Sequence, residues 1–179
     1  MKKALIIIDL QNDYFEGGSM ELQNVNEVLT QINKLIQFAR KEKYKIYFVQ
    51  HFAIKEGATF FVANTNGVKL HKRLDFQNDM IIKKNYPNSF RDTNLQNELQ
   101  KESINDLIIC GAMTHMCIDT TVRAGFDLGY KIKLVSDACA TKDLIFEDNI
   151  IKAQDVHGSF LSALGAVFCE VIDTEEIIK

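Results

Sequence analysis

Leu107-Ile108-Ile109-Cys110-Gly111-Ala112-Met113-Thr114-His115-Met116-Cys117-Ile118-Asp119-Thr120-Thr121 is the stretch whose reading decides the fold. Its first four residues are an unbroken apolar run, the pattern of a parallel strand buried on both faces. Its last residues open a helical repeat through Ile118, Thr121, Val122 and Gly125. Between them Gly111 permits a backbone conformation that a side chain would forbid. The turn carries Cys117 into the first turn of the following helix. A thiol there faces unpaired amides and the positive end of the helix dipole, both of which favour thiolate and hence nucleophilic character. A free cysteine otherwise behaves as a small buried hydrophobe, so the reading depends on a base and a cation reaching the same place.

Outward from this stretch, strands alternate with helices. Ala4 to Ile8 is an apolar run ended by Asp9, and Val28, Leu29, Ile32, Leu35, Ile36 and Ala39 repeat at helical spacing up to Arg40 and Lys41. A second strand is expected at Lys45 to Gln50, a third at Met80 to Lys83, a fifth at Ile132 to Val135 and a sixth at Ala166 to Ile172. The pattern loosens from His51 to Asp79, with a short helical piece expected over Val68 to Leu74. Thr93-x-x-Gln96 reads as a capping box opening a helix with Leu95 and Leu99 inward. A further helix is expected to begin at Ile150 and run to Leu164, closed by Gly165, and Asp173 caps a last short turn. The alternation predicts a doubly wound α/β fold: a six-stranded parallel sheet in the order 3-2-1-4-5-6, helices on both faces, in a single domain over residues 1–179.

In that order strands one and four are neighbours at the switch point, where ligands bind beyond the carboxyl ends of the strands. Topology alone therefore brings Asp9 and Cys117 to one crevice. Lys84, leaving the third strand, adds a cation for both. A dinucleotide fold would need Gly-x-Gly-x-x-Gly after the first strand, where this chain has Asp9-Leu10-Gln11-Asn12-Asp13.

Composition narrows the classes further. Net charge is -3 with 46% hydrophobic residues and no basic tract, which argues against a nucleic-acid partner. No apolar run approaches the ~20 residues of a membrane span, and Asp9 interrupts the only run resembling a signal peptide. The four cysteines form no C-x-x-C pair, which suits a reducing, cytoplasmic compartment.

Four segments carry a resemblance. Ile6-Ile7-Ile8-Asp9-Leu10-Gln11-Asn12-Asp13-Tyr14-Phe15, Lys84 followed by Ser89-Phe90 and Thr93-x-Leu95, Gly111-Ala112-Met113-Thr114-x-x-Cys117-Ile118-x-x-Thr121-x-Arg123-x-Gly125, and Val135-x-Asp137-Ala138-Cys139-Ala140-Thr141 follow one another as in the isochorismatase-like cysteine hydrolases. That superfamily includes nicotinamidases, and the chain resembles most its streptothricin-hydrolase-like members. The resemblance implies Asp9 as general base and acid, Lys84 as its electrostatic partner and Cys117 as nucleophile. It also implies a cis peptide between Ala112 and Met113 and an oxyanion hole from the Met113 and Cys117 amides. Gln11, Phe15, His51, Phe60, Thr114 and His115 are expected around a small amide substrate.

The chain departs from nicotinamidases at Val49-Gln50-His51, where those enzymes have Asp-x-His as metal ligands; His51 and His71 alone make a poor metal site. No metal and no cofactor are expected. Hydrolysis of a carboxamide or lactam is the reading, with a vinyl-ether hydrolase, a nicotinamidase or a catalytically silent member as alternatives. The expected helix from Ile150 presents Ile151, Val156, Phe160, Leu161, Ala163 and Leu164, a wide apolar surface that predicts a homodimer or larger homo-oligomer.

Overall fold

The computed structural model describes residues 2–179. Strands β1 (Lys2–Ile8), β2 (Lys45–His51), β3 (Met80–Lys84), β4 (Ile104–Ala112), β5 (Lys131–Ala140) and β8 (Glu170–Ile172) form one parallel sheet in the order β3-β2-β1-β4-β5-β8. This is the expected order, with β8 in the sixth place. The two additional strands, β6 (Leu144–Phe146) and β7 (Asn149–Ile151), make a separate antiparallel hairpin.

Both faces of the sheet are covered because successive residues of β1 point to opposite sides. Leu5 and Ile7 pack with Val28, Leu29, Ile32, Leu35, Ile36 and Ala39 of α1 (Val25–Lys41). Ala4, Ile6 and Ile8 pack with Leu95 and Leu99 of α2 (Leu95–Lys101), Val122 of α3 (Asp119–Asp127) and Leu164 of α4 (Ala153–Gly165). Each Val, Leu or Ile among these contributes about 1.5–3 kcal/mol when fully buried. A short α5 (Thr174–Ile178) ends the chain, opened by a capping box between Asp173 and Glu176. Among the described residues no helix is long and apolar enough to cross a membrane.

Three expectations are corrected. Ile150 and Ile151 belong to β7, and α4 begins only at Ala153, because the three residues on each side of Glu147-Asp148, five of the six apolar, pair as a hairpin. Residues 68–74 form turns and no helix; there Leu70 bridges to Gln11. Thr93 does not cap in the expected box: Asn94 is the N-cap residue of α2, while Thr93 Oγ1 donates to the Ser89 carbonyl and accepts from the Leu95 amide at 3.3 Å.

Gly111 marks where β4 must pass close to β1. Its φ is +127°, and a Cβ there would collide with the Ile8 backbone. The β4–β5 register shifts at the same point, a bulge of the kind that re-aims a chain beside a site. Gly111→Ala combines a forbidden conformation with a backbone clash and is expected to cost about 1–3 kcal/mol or more. Urea unfolding of the variant checks this; an unchanged midpoint would contradict it.

Candidate active site

The site assembles at the carboxyl edge from β3, β2, β1 and β4, four consecutive strands of the sheet. Asp9 follows β1 with φ +57°, a left-handed conformation that aspartate tolerates better than most residues, and its amide donates to the Val49 carbonyl at 3.0 Å. Lys84 is the last residue of β3. After β4 the Ala112–Met113 peptide is cis and the chain enters a π-helical turn, Thr114–Ile118, closed by the Ile118 amide donating to the Met113 carbonyl at 3.2 Å. Cys117 sits inside this wide turn, immediately ahead of α3.

Lys84 ties the three together. Its Nζ lies 2.8 Å from Asp9 Oδ2, 3.0 Å from Cys117 Sγ, 3.1 Å from His51 Nδ1, and 3.2 and 3.3 Å from the carbonyls of Tyr86 and Pro87, five neighbours that share three ammonium protons. An ammonium has only protons to give, so His51 Nδ1 accepts and the imidazole hydrogen is assigned to Nε2. Burial first, and then Lys84, lower the His51 pKa against the opposing pull of Asp9, which keeps the ring neutral at pH 7. Asp9 Oδ1 is buried and has no hydrogen-bond partner among the described residues.

Electrostatics here correct one expectation. Burial raises the Cys117 pKa well above its ordinary value, and Asp9 adds to the rise, while Lys84 opposes both. The resting group is thus a neutral thiol, since the helix-end position does not offset a site in which Cys117 is only 5% exposed. Burial likewise opposes the charge on Lys84, but Asp9 and Cys117 outweigh it and raise that pKa. Tyr14, in the 3-10 turn Asn12–Tyr14, is buried close enough to Cys117 and Asp9 for both to push its hydroxyl pKa up after burial itself.

The remaining expected site residues fall into three places. His51 and Phe60 line a cavity of about 510 Å³ together with Ile54, Ala58, Asn85 and Tyr86. Gln11 and Phe15 do not line it. Both Gln11 amide hydrogens are taken, by the carbonyls of His51 (2.9 Å) and Val68 (2.7 Å), and its oxygen accepts from the His51 amide at 2.8 Å. Gln11 thereby clamps the end of β2. Phe15 is buried and stacked on His71 at 3.8 Å. Thr114 and His115 turn toward β5 and α4: Thr114 Oγ1 lies 2.9 Å from His157 Nδ1, and His115 Nδ1 pairs with Thr141 Oγ1.

Asp13 holds the outer loop in place. Its Oδ2 accepts from the Phe61 amide at 2.6 Å, and Gly67 packs so close to the carboxylate that a Cβ there would collide with it. Asp13 and Tyr14 both fall in the first quoted motif, which is the signal that could have marked them. Asn85 and Tyr86 carry no such signal beyond adjacency to Lys84.

Asp9, His51 and Cys117 each offer one ligand atom, all within 4.8 Å of one another. The space between them is held by the Lys84 ammonium, 2.8–3.1 Å from each. A divalent ion would have to displace that cation, and Val49, where nicotinamidases have a carboxylate, is fully buried and apolar. The donor set does not fit a resident metal.

A thiol held against a buried ammonium–carboxylate pair, at the switch point of a doubly wound sheet, defines the cysteine-hydrolase class. The Isochorismatase domain model matches residues 3–176, and the chain belongs to the isochorismatase family, whose members are hydrolases. The isochorismatase family protein YddQ of Bacillus subtilis is 41% identical over the whole of both chains. The crystal structure of a protein from Oleispira antarctica, assigned as an isochorismatase hydrolase, superposes with a TM-score of 0.94 at 39% identity, covering 99% of this chain and 96% of that one. The nicotinamidase of Escherichia coli is 25% identical, with 97% of each chain covered.

Proposed function

We propose that the protein hydrolyses a small carboxamide or lactam, without a metal, through a thioester on Cys117. One observation carries this reading: the Lys84 ammonium lies within 3.0 Å of both a buried carboxylate, Asp9, and a buried thiol, Cys117. The groups that must exchange a proton are therefore held by one cation before substrate arrives.

Asp9 takes the Sγ proton as sulfur attacks the carbonyl carbon. The tetrahedral oxyanion is received by the amides of Met113 and Cys117, which lie at the N-cap of and within the π-helical turn that follows the cis peptide. Losing one such donor costs about 100- to 1000-fold in rate. The C–N bond breaks as Asp9 returns the proton to the leaving nitrogen. Asp9 then draws a proton from water, whose oxygen attacks the thioester, and the acid leaves as the thiol re-forms. The cavity walled by Phe60 and Tyr86 holds the acyl group, with the His51 Nε2 hydrogen as a donor at its inner end.

Two tests follow. A screen of small carboxamides and lactams for ammonia, amine or acid release, with Cys117→Ala as the blank, is expected to find activity that the blank lacks. Pyruvate from isochorismate, undiminished in Cys117→Ala, would establish the vinyl-ether reading instead. Because Lys84 fills the space between the three potential ligands, activity is expected to survive exhaustive chelation. Loss of activity with EDTA, restored by zinc, iron or manganese, would overturn the metal-free mechanism and favour the nicotinamidase reading.

A further inference from the structure

Thr114 and His157 have no part in the proton transfers described above, yet both are tied to the turn that must receive the oxyanion. Thr114 is fully buried and opens the π-helical turn directly after Met113. Its Oγ1 lies 2.9 Å from Nδ1 of His157 on α4 and 3.3 Å from the carbonyl of Ala140 at the end of β5. The next residue of the turn is held close by, His115 Nδ1 pairing with Thr141 Oγ1. Within the turn, the Met116 and Ile118 amides both donate to the Met113 carbonyl, at 3.0 and 3.2 Å. Those bonds shape the turn; the Thr114 and His115 side chains fix it against β5 and α4.

Oxyanion donors work only if they are in place before the charge develops, and a misplacement of ~1 Å can cost about 100-fold in rate. A hydroxyl has one proton, and the shorter of the two Thr114 contacts is the one to the imidazole. Burial lowers the His157 pKa, opposed only in part by a hydrogen bond with the Ser136 backbone, so the ring is neutral at pH 7 and keeps one nitrogen as an acceptor. The ring also borders a polar cavity of about 760 Å³ lined by Gln31, Asp137 and Gln154. A side chain of similar size can therefore replace it without being forced into a packed core.

We propose that His157 is a positioning residue: through the Thr114 hydroxyl it fixes the turn whose amides receive the oxyanion, an inference that rests on the thioester reading of Cys117. Two probes of the intact protein separate this role from a general structural one. p-Nitrophenyl acetate acylates the sulfur through a tetrahedral oxyanion and releases p-nitrophenolate. Iodoacetamide alkylates the same sulfur by displacing iodide from a methylene carbon, and no oxyanion forms. His157→Leu is expected to slow acylation by about tenfold or more, while alkylation followed on Cys117 by mass spectrometry changes by less than about twofold. Thr114→Val is expected to do the same, and the double variant to be no slower than either single one, because both break one link. His157→Asn keeps a side-chain polar atom about where Nδ1 stands and is expected to restore most of the rate. Equal losses in both reactions, no loss in either, or no recovery in His157→Asn would overturn the proposal. A wild type that iodoacetamide labels at Cys117 but the ester does not acylate would remove the thioester reading itself, and this inference with it.

Discussion

Asp9→Asn is expected to move turnover and thiol reactivity in opposite directions. Removing the carboxylate takes away the general base and acid, a loss of about 100- to 10 000-fold in kcat. It also removes one of the influences that raise the Cys117 pKa and leaves Lys84, which lowers it. Each unit of fall multiplies the thiolate present at neutral pH about tenfold, so iodoacetamide should label Cys117 faster in the inactive variant than in the wild type. The label has to be followed on Cys117 itself, because Cys169 is partly exposed and raised only to about 11, while Cys110 and Cys139 are buried with raised pKa values. Mass spectrometry of the labelled protein decides the matter. If turnover and labelling fall together, Asp9 is supporting the thiol's reactivity in another way and the proton-transfer role is wrong.

Lys84→Met is expected to have the largest effect on stability. It leaves the Asp9 carboxylate in a fully buried position without its cation, and breaking a buried pair from one side costs about 3–5 kcal/mol. The double variant Asp9→Asn/Lys84→Met removes both charges and should cost less than the two single changes added together. Urea denaturation of the four proteins gives the coupling directly, and strict additivity would show that the 2.8 Å contact carries no energy. The pH dependence has a definite sign. The folded-state pKa of Lys84 is raised, so its share of stability is complete below its ordinary value of 10.5 and is lost as pH climbs through the folded value. The wild type should therefore lose more stability than Lys84→Met on going from pH 9 to strongly alkaline solution.

The sheet was legible in the sequence because its strands are buried on both faces and read as near-continuous apolar runs, Ala4 to Ile8 and Leu107 to Cys110 above all. The order then followed from the alternation with helices. The hairpin was not legible: Leu144-Ile145-Phe146 and Asn149-Ile150-Ile151 are too short for periodicity to separate strand from helix, and Ile150-Ile151 merged with the true helix beginning at Ala153. Asp9, Lys84 and Cys117 could be placed together because each ends a strand or follows one, so topology does what side-chain detail would otherwise have to do. The charge state of Cys117 could not be read the same way. The helix-end argument is local, whereas burial and the neighbouring carboxylate belong to the assembled site. Gln11 and Asp13 illustrate the same limit, since their partners His51, Val68 and Phe61 lie 40 or more residues away.

A neutral, nearly inaccessible thiol also bears on how this protein ages. Peroxide attacks thiolates, advancing them to sulfenic and then to irreversible acids, and activated cysteines usually accept that hazard as part of their reactivity. Cys117 in its resting form presents neither the charge nor the surface that an oxidant needs. In the proposed reaction the vulnerable moment is confined to turnover, when the proton would leave sulfur with the substrate already in the cavity.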